Sequence, residues 1–224
     1  SPDPSWLGFP IVSLLSGTVN FELIFLLQND EPNAFMRVQA LCNTLIRLYQ
    51  RVWGRSELRL GDLAEELPAI RDVQGMFTDM VKKLPELQEL IKALGRPIRV
   101  ATMCSGTESP LLALDKIANA TNTEYGQKLG VDHVFSCEIE PFKQAYIERN
   151  FAPPILFRDI RELDEDQATT AYGALVDVPG NVDMLVAGTS CVDYSNLNNE
   201  KKGLKDAGES GQTFRGMMTW VQKN

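Results

Sequence analysis

The 224-residue chain has few cysteines, and no two of them stand at a metal-binding spacing. Its four cysteines lie far apart in the sequence, and none belongs to a Cys-x-x-Cys pair. This pattern argues against a zinc site and against a disulfide framework. It predicts no metal site and a reducing, intracellular setting. The four are Cys42, Cys104, Cys137 and Cys191.

Long hydrophobic runs are also missing. The longest apolar stretch, residues 21–27, is interrupted by Glu22 and is far shorter than a membrane span. The first residues, Ser1-Pro-Asp-Pro4, lack the basic start and the apolar centre of a secretory signal. We therefore predict an intracellular protein without membrane contact.

Basic residues are too few to give the chain a positive charge. It carries 22 Lys and Arg against 30 Asp and Glu, a net charge of −8. Phosphate contacts require Lys and Arg, so an acidic chain is a poor non-specific binder of nucleic acid. A nucleic-acid role must therefore rely on local basic groups or on a segment outside these residues.

Residues 1–95 are predicted to form a mostly helical amino-terminal segment that carries no chemistry. Apolar side chains over 35–52 recur at helical spacing, and shorter helices are expected at 58–67, 70–84 and 86–94. The residues before 35 are interrupted by glycine and proline, and they are compatible with a strand or with a packed arm.

The pattern changes at Pro97 to an alternation of strands and helices. Such an alternation predicts an α/β domain with a Rossmann-like parallel sheet and right-handed crossovers, here over residues 96–224. The expected strands are 98–103, 131–137, 155–157 and 182–187; the expected helices are 110–117, 141–150, 164–176 and 213–222, with a long mobile loop at 192–211.

Polar or small residues follow each of the first three strands of this predicted sheet. Ser105-Gly106 permits close backbone approach to a ligand, although the Gly-x-Gly-x-x-Gly fingerprint is absent. Glu138 can accept both hydroxyl protons of a ribose, although an isolated glutamate is more often a surface acid. Asp159 can accept an adenine amino proton while Ile160 packs on the ring. Because these residues follow three successive strands, together they predict one nucleoside-binding site.

A single cysteine follows the fourth predicted strand. The apolar run 184–187 ends at Gly188, which leads into a small polar loop that contains Cys191. Because this loop lies at the carboxyl end of a strand, Cys191 is either a nucleophile of the same site or a buried, inert thiol.

Four stretches of the chain resemble successive motifs of the DNA (cytosine-5) methyltransferase family. They are residues 99–109, 134–151, 157–163 and 183–195, and the phrase over 137–151 is especially characteristic of the second motif of that family. The resemblance covers residues 97–224 and does not extend to 1–95.

The loop Thr189-Ser-Cys-Val-Asp-Tyr-Ser195 is similar to the Pro-Cys-Gln-x-Phe-Ser nucleophile loop of the family, in a form more like its fungal variants. Ser190 replaces the usual proline, Val192 the glutamine and Tyr194 the phenylalanine. Cys191 and Ser195 keep their places.

The resemblance implies a fold, a cofactor and a set of site residues. The fold is a partial class I methyltransferase sheet of about four parallel strands in the order 3-2-1-4, with the fourth strand at an exposed edge. The cofactor is S-adenosylmethionine, and the implied nucleophile is Cys191, with Ser190 and Ser195 in the substrate loop. The cofactor-binding residues are Cys104, Ser105, Gly106, Thr107, Glu138, Ile139, Asp159 and Ile160.

The implied reaction is methyl transfer to C5 of a cytosine in DNA, in the nucleus. The base is flipped out of the duplex, and the Cys191 thiolate adds to C6, which activates C5. The family also uses a Glu-Asn-Val motif on the next strand, and the chain ends at Asn224 before it. We therefore expect the amino-terminal part of a catalytic domain, completed by a second chain or a continuation, with weak or no activity alone. Methylation of a tRNA cytosine and a non-catalytic scaffold role remain the alternatives.

Overall fold

The computed structural model describes residues 70–190 and 208–224, the strands Ile11–Ser16 and Val19–Ile24, and the helical residues Ala40 and Thr44. The helix predicted over 58–67, the remainder of the one over 35–52, and most of the loop over 192–211 lie outside the described residues. No helix in the described part of the chain is both long and apolar enough to cross a membrane.

A six-stranded sheet and a two-stranded hairpin contain the described strands. The strands are β1 (Ile11–Ser16), β2 (Val19–Ile24), β3 (Ile98–Met103), β4 (Val131–Cys137), β5 (Leu156–Phe157), β6 (Gln167–Thr169), β7 (Leu175–Asp177) and β8 (Met184–Ala187). The order in the large sheet is β1-β2-β8-β3-β4-β5. Its four parallel strands, β5-β4-β3-β8, have the predicted order 3-2-1-4, so the predicted α/β fold is confirmed.

The prediction of an exposed edge at the fourth parallel strand is wrong. β2 pairs antiparallel with β8, with Leu23 opposite Val186, and β1 pairs antiparallel with β2. The pairing of β1 with β2 runs to Ser16 opposite Val19, so the two strands form an antiparallel pair over their full length. The backbone groups of β8 are paired with β2 on one side and β3 on the other, so β8 is not an open edge.

The five described helices are α1 (Val73–Lys82), α2 (Glu86–Leu94), α3 (Ser109–Tyr125), α4 (Pro141–Phe151) and α5 (Glu209–Lys223). Local sequence explains their ends. The Asp72 carboxylate caps α1 by accepting from the Gly75 N–H at 2.7 Å, and Gly95 ends α2 in the left-handed conformation with φ 67°. Pro141 begins α4, where a missing N–H costs nothing.

The helix predicted over 164–176 is wrong. A short 3-10 helix, Ile160–Glu162, is followed there by the hairpin β6–β7. Gly173 adopts φ 84° in the turn, and Thr170 bridges to Phe157 of the edge strand β5. A tertiary contact with a sheet edge therefore overrides the local helical preference. The loop predicted over 192–211 is also too long, since α5 begins at Glu209.

The chain divides into two compact units. The first combines Ser1–Asp30, Ile98–Leu111 and Asp132–Asn224, and it contains the sheet. Its core includes the rings of Phe135, Phe157 and Trp220, with centroids 5.5 Å apart at both edge-to-face contacts of Phe135.

The second unit combines Glu31–Pro97 and Leu112–Val131. In this unit the Tyr125 hydroxyl donates to the carbonyl oxygens of Val81, at 2.7 Å, and Leu84, at 3.0 Å. The predicted division of the chain into 1–95 and 96–224 stays a prediction.

Candidate functional site

The loop between β3 and α3 turns through three residues with positive φ. They are Cys104 (52°), Gly106 (64°) and Glu108 (56°). A Cβ added to Gly106 would meet no atom within 4 Å, so the space above this residue is open. The loop therefore offers bare backbone to a ligand at the carboxyl end of the sheet, where ligands of open α/β folds bind.

Glu138 joins this loop to the end of β4. The residue is only 3% exposed, and its Oε2 accepts the Gly106 N–H at 3.1 Å. Its Oε1 accepts the N–H groups of Ile139, at 3.0 Å, and Glu140, at 3.2 Å. A carboxylate offers about four acceptor sites, so Glu138 keeps capacity for a further donor such as a ligand hydroxyl.

Ser105 presents a polar atom without a partner. Its side chain is buried, and its Oγ has no hydrogen-bond partner among the described residues. A buried hydroxyl without a partner is costly, and such groups often await a ligand or a water. Ser105 Oγ therefore fits a site for a polar ligand beside Gly106.

Asp159 is fixed by a neighbouring arginine at the end of β5. The Arg161 guanidinium contacts both carboxylate oxygens, and the Arg161 backbone N–H donates to Oδ1 at 2.9 Å. Burial raises the pKa of Asp159, but these Arg161 contacts outweigh burial, so the pKa lies below its usual value. Asp159 is thus held as an oriented, ionised acceptor.

The two isoleucines predicted for this site differ in exposure. Ile160 is 3% exposed and belongs to the core, where α5 approaches closely: a Cβ on Gly216 would lie 2.9 Å from the Ile160 carbonyl oxygen. Ile139 is 53% exposed beside Glu138. Ile139 therefore offers an open apolar surface to a ligand, whereas the side chain of Ile160 packs into the protein.

The electrostatic environment of the loop is negative. Burial, and then the charges of Glu138 and Asp159, raise the pKa of Cys104 to about 12, and Lys143 opposes them only in part. Glu209, at the start of α5, adds in the same direction. The same acidic groups favour a cationic ligand. Cys104 is consequently a neutral thiol and is no candidate for a nucleophile.

The structure brings only some of the other predicted site residues together. A hydrogen bond joins Gly106 to Glu138, and Cys104 and Ser105 precede Gly106 in the same loop. Asp159 lies close enough for its charge to raise the pKa of Cys104. Thr107 is exposed, with its hydroxyl 3.1 Å from that of Ser109. Ser190, partly buried, follows β8. Cys191 and Ser195 lie outside the described residues.

Sequence reasoning missed two side chains that shape this site. Arg161 lies two residues after Asp159, and an arginine at that spacing in a turn was a signal for a carboxylate partner. Glu108 is fully buried below the loop, and its Oε1 accepts from the Thr102 and Ser136 hydroxyls. No periodic pattern in the sequence identifies Glu108 as a site residue, because its hydrogen bonds come from side chains on two neighbouring strands.

Comparisons with known proteins identify a family and two relatives. The family described as C-5 cytosine-specific DNA methylase matches residues 99–223. The chain is 61% identical over 164 residues, 73% of its length, to the DNA (cytosine-5-)-methyltransferase DMT5 of Cryptococcus neoformans var. grubii. It is 39% identical over 147 residues, 63% of its length, to the protein of that name from Verticillium dahliae. The chain spans 7% and 6% of the length of these two relatives.

Proposed function

The chain belongs to the C-5 cytosine-specific DNA methylase family, and from this membership we propose that its protein transfers a methyl group from S-adenosylmethionine to C5 of cytosine in DNA. The structural observation that supports its cofactor site is the contact between Gly106 and Glu138 at 3.1 Å, which sets an open backbone loop beside a buried carboxylate. The chain spans only 7% and 6% of the length of its two relatives, so this activity is proposed for the whole protein, with DNA as its proposed partner.

The residues of the loop suit the proposed cofactor. The unpartnered Ser105 Oγ and the open space above Gly106 support binding of a polar ligand close to the backbone. Glu138 would accept from ribose hydroxyls, and Asp159 from the adenine amino group. The exposed Ile139 would be the apolar neighbour of the ligand, the buried Ile160 would support this end of the site from the core, and Cys104 and Thr107 would complete the loop. When bound, the cofactor supplies an electrophilic methyl group on a positively charged sulfur, and the acidic surroundings of Cys104 suit that charge.

Cys191 is the proposed nucleophile. The target cytosine would be flipped out of the duplex, because its ring is unreachable inside the stack. The Cys191 thiolate would add to C6, and the electron pair displaced to C5 would form the bond to the methyl group as the methyl–sulfur bond breaks, with S-adenosylhomocysteine as the leaving group. Loss of the C5 proton and departure of the thiolate would then restore the ring. Support comes from the parallel pairing of β3 with β8, since Gly188 donates to the Met103 carbonyl at 2.9 Å and Ser190 follows at the same edge.

A nuclear location and a role in epigenetic DNA methylation follow from this proposed substrate. Completion of the catalytic centre by other parts of the protein, or by a second chain, belongs to the same proposal. The size of the two curated relatives supports it, because the matching region is a small fraction of each.

Two measurements on the intact protein test the function. Titration calorimetry with S-adenosylhomocysteine should detect binding, and the absence of any binding would remove the cofactor assignment. With S-adenosylmethionine present, duplex DNA that contains 5-fluorocytosine should form a covalent adduct, because C5 carries fluorine in place of the proton that must leave. Cys191→Ala should abolish this adduct, and Cys137→Ala, a loss of a buried core thiol, should retain it. An adduct with tRNA instead of DNA would support an RNA substrate, and cofactor binding without any adduct would indicate a scaffold.

A further inference from the structure

Glu108 is a buried carboxylate that the proposed reaction does not use. It is 0% exposed, although it immediately precedes α3 in the loop that carries Ser105 and Gly106. Among the described residues, no ion pair with Lys or Arg is present at its carboxylate, and its Oε2 has no hydrogen-bond partner. Burial of such a group is costly, so its place under the loop requires a compensating role.

The other oxygen, Oε1, connects the loop to two strands. It accepts from the Thr102 hydroxyl on β3 at 2.8 Å and from the Ser136 hydroxyl on β4 at 2.7 Å. Both hydroxyl residues are fully buried, and Ser136 Oγ lies 3.0 Å from Nε2 of the partly buried His133. The network therefore fixes the loop to both strands whose carboxyl ends form the site.

The backbone of Glu108 is held in an unfavourable conformation. Its φ is 56°, in the left-handed region that favours glycine and is rare for a residue with a long side chain. Such conformations persist only where the surrounding contacts outweigh their cost. At Glu108 those contacts are the two hydroxyl hydrogen bonds, so the side chain holds its own backbone in place.

We propose that Glu108 is a positioning residue that holds the loop so that the Gly106 N–H meets Glu138. Glu108 acts from below the loop through Thr102 and Ser136, and Glu138 acts on the ligand side through Gly106. Ser136 lies two residues before Glu138 on the same chain segment, so the network fixes both sides of the 3.1 Å contact. The effect on cofactor affinity rests on the proposed function, whereas the effect on the loop does not.

The test compares substitutions at Glu108 with a matched loss of a buried carboxylate elsewhere. Asp183 is 4% exposed and accepts the Arg99 N–H at 2.8 Å, at the opposite, amino ends of β8 and β3. Glu108→Ala, Glu108→Gly, Glu108→Gln and Asp183→Ala would be made in the intact protein. Each variant is measured by S-adenosylhomocysteine titration, by thermal unfolding and by hydrogen exchange of the peptide 104–109.

Glu108→Ala should weaken S-adenosylhomocysteine binding by about tenfold or more, because two buried hydroxyls lose their acceptor and the loop loses its anchor. It should also raise hydrogen exchange in the loop. Glu108→Gly should show the same loss although glycine tolerates the backbone conformation, which assigns the effect to the carboxyl group. Glu108→Gln should recover most of the affinity, since its amide oxygen accepts from both hydroxyls. Asp183→Ala should lower the unfolding temperature without either change.

Wild-type affinity in the folded fraction of Glu108→Ala would overturn the proposal, as would a loss in Glu108→Gln as large as in Glu108→Ala. If the wild-type protein bound no S-adenosylhomocysteine, the proposed function would fail, and hydrogen exchange alone would decide the positioning role. Equal loop exchange in wild type and Glu108→Ala would then refute it.

Discussion

The backbone N–H of Gly106 donates to Oε2 of Glu138 at 3.1 Å, across the gap between the loop after β3 and the end of β4. These residues are far apart in sequence, yet the contact brings a residue without a side chain against a carboxylate that is 3% exposed. Oε1 of Glu138 is held by two further N–H groups. An acceptor fixed in this way needs little reorganisation when a ligand binds, which favours tight binding.

Glu138→Gln should weaken S-adenosylhomocysteine binding by about tenfold or more, because one oxygen that faces backbone N–H donors is replaced by an NH₂ group. Titration calorimetry measures the change. The matched control is Glu140→Gln, since Glu140 is exposed and its side chain makes no capping bond to α4. Unchanged affinity in Glu138→Gln would contradict the role of Glu138 as the central acceptor.

Gly106→Ala should abolish ligand binding, whereas Gly126→Ala should leave it intact. The two glycines have the same φ of 64°, and neither has an atom within 4 Å of an added Cβ. Each substitution should therefore cost about 1–2 kcal/mol in unfolding free energy from backbone strain. Only at Gly106 would the methyl group enter the space of the ligand. Equal affinities in the two variants would argue against close ligand approach at Gly106.

Arg161→Gln should weaken binding of S-adenosylhomocysteine more at acidic than at neutral pH. Arg161 holds the pKa of Asp159 below its usual value. The wild-type carboxylate is therefore ionised at and above the usual pKa, and its stabilisation by Arg161 is lost only as the pH falls through the lowered pKa. Without Arg161, burial raises the pKa, and Asp159 takes up a proton at higher pH.

Titrations at acidic and at neutral pH test this shift, because the variant should lose affinity at a higher pH than wild type as the pH falls. Arg158→Gln is the control, because Arg158 pairs with Glu162 at 2.8 Å and lowers the pKa of Asp159 less than Arg161 does, so its pH shift should be smaller. An equal pH dependence in the two variants would indicate a general loss of positive charge rather than a specific effect of Arg161 on Asp159.

Cys104 should resist alkylation by iodoacetamide in the folded protein at pH 8, because burial and the neighbouring acids raise its pKa to about 12. Mass spectrometry of the labelled protein measures this. The raised pKa of Cys104 contributes fully to the free energy of unfolding below the ordinary thiol pKa of 9.0. This contribution should fall as the pH rises from 9.0 towards about 12. Cys104→Ala should therefore reduce the alkaline loss of stability, and rapid labelling of Cys104 at pH 8 would contradict the raised pKa.

Trp220→Ala should lower the unfolding free energy by about 3–5 kcal/mol, because Trp220 is fully buried against Phe135. Trp220→Phe should lower the unfolding free energy by less. The indole Nε1 has no hydrogen-bond partner among the described residues, so its removal leaves no acceptor without a donor. Urea unfolding measures both. Phe142→Ala, at a side chain 71% exposed, should stay within about 0.5 kcal/mol of wild type. If Phe142→Ala lowered the unfolding free energy as much as Trp220→Ala, the Phe142 ring would have to be buried.

The sequence by itself determined the parallel strands and the residues at their carboxyl ends, and its resemblance to a known family implied their order. Apolar runs and glycine or proline signals are local, so the positions of Ser105, Gly106, Glu138 and Asp159 follow from where each strand stops. The tertiary structure decided what no local pattern encodes. The pairing of β2 with β8, the hairpin in place of the helix over 164–176, and the burial of Glu108 between Thr102 and Ser136 all depend on partners distant in sequence or on neighbouring strands. A hydrogen bond between strands has no period along the chain, so only the folded arrangement could show which polar side chains meet.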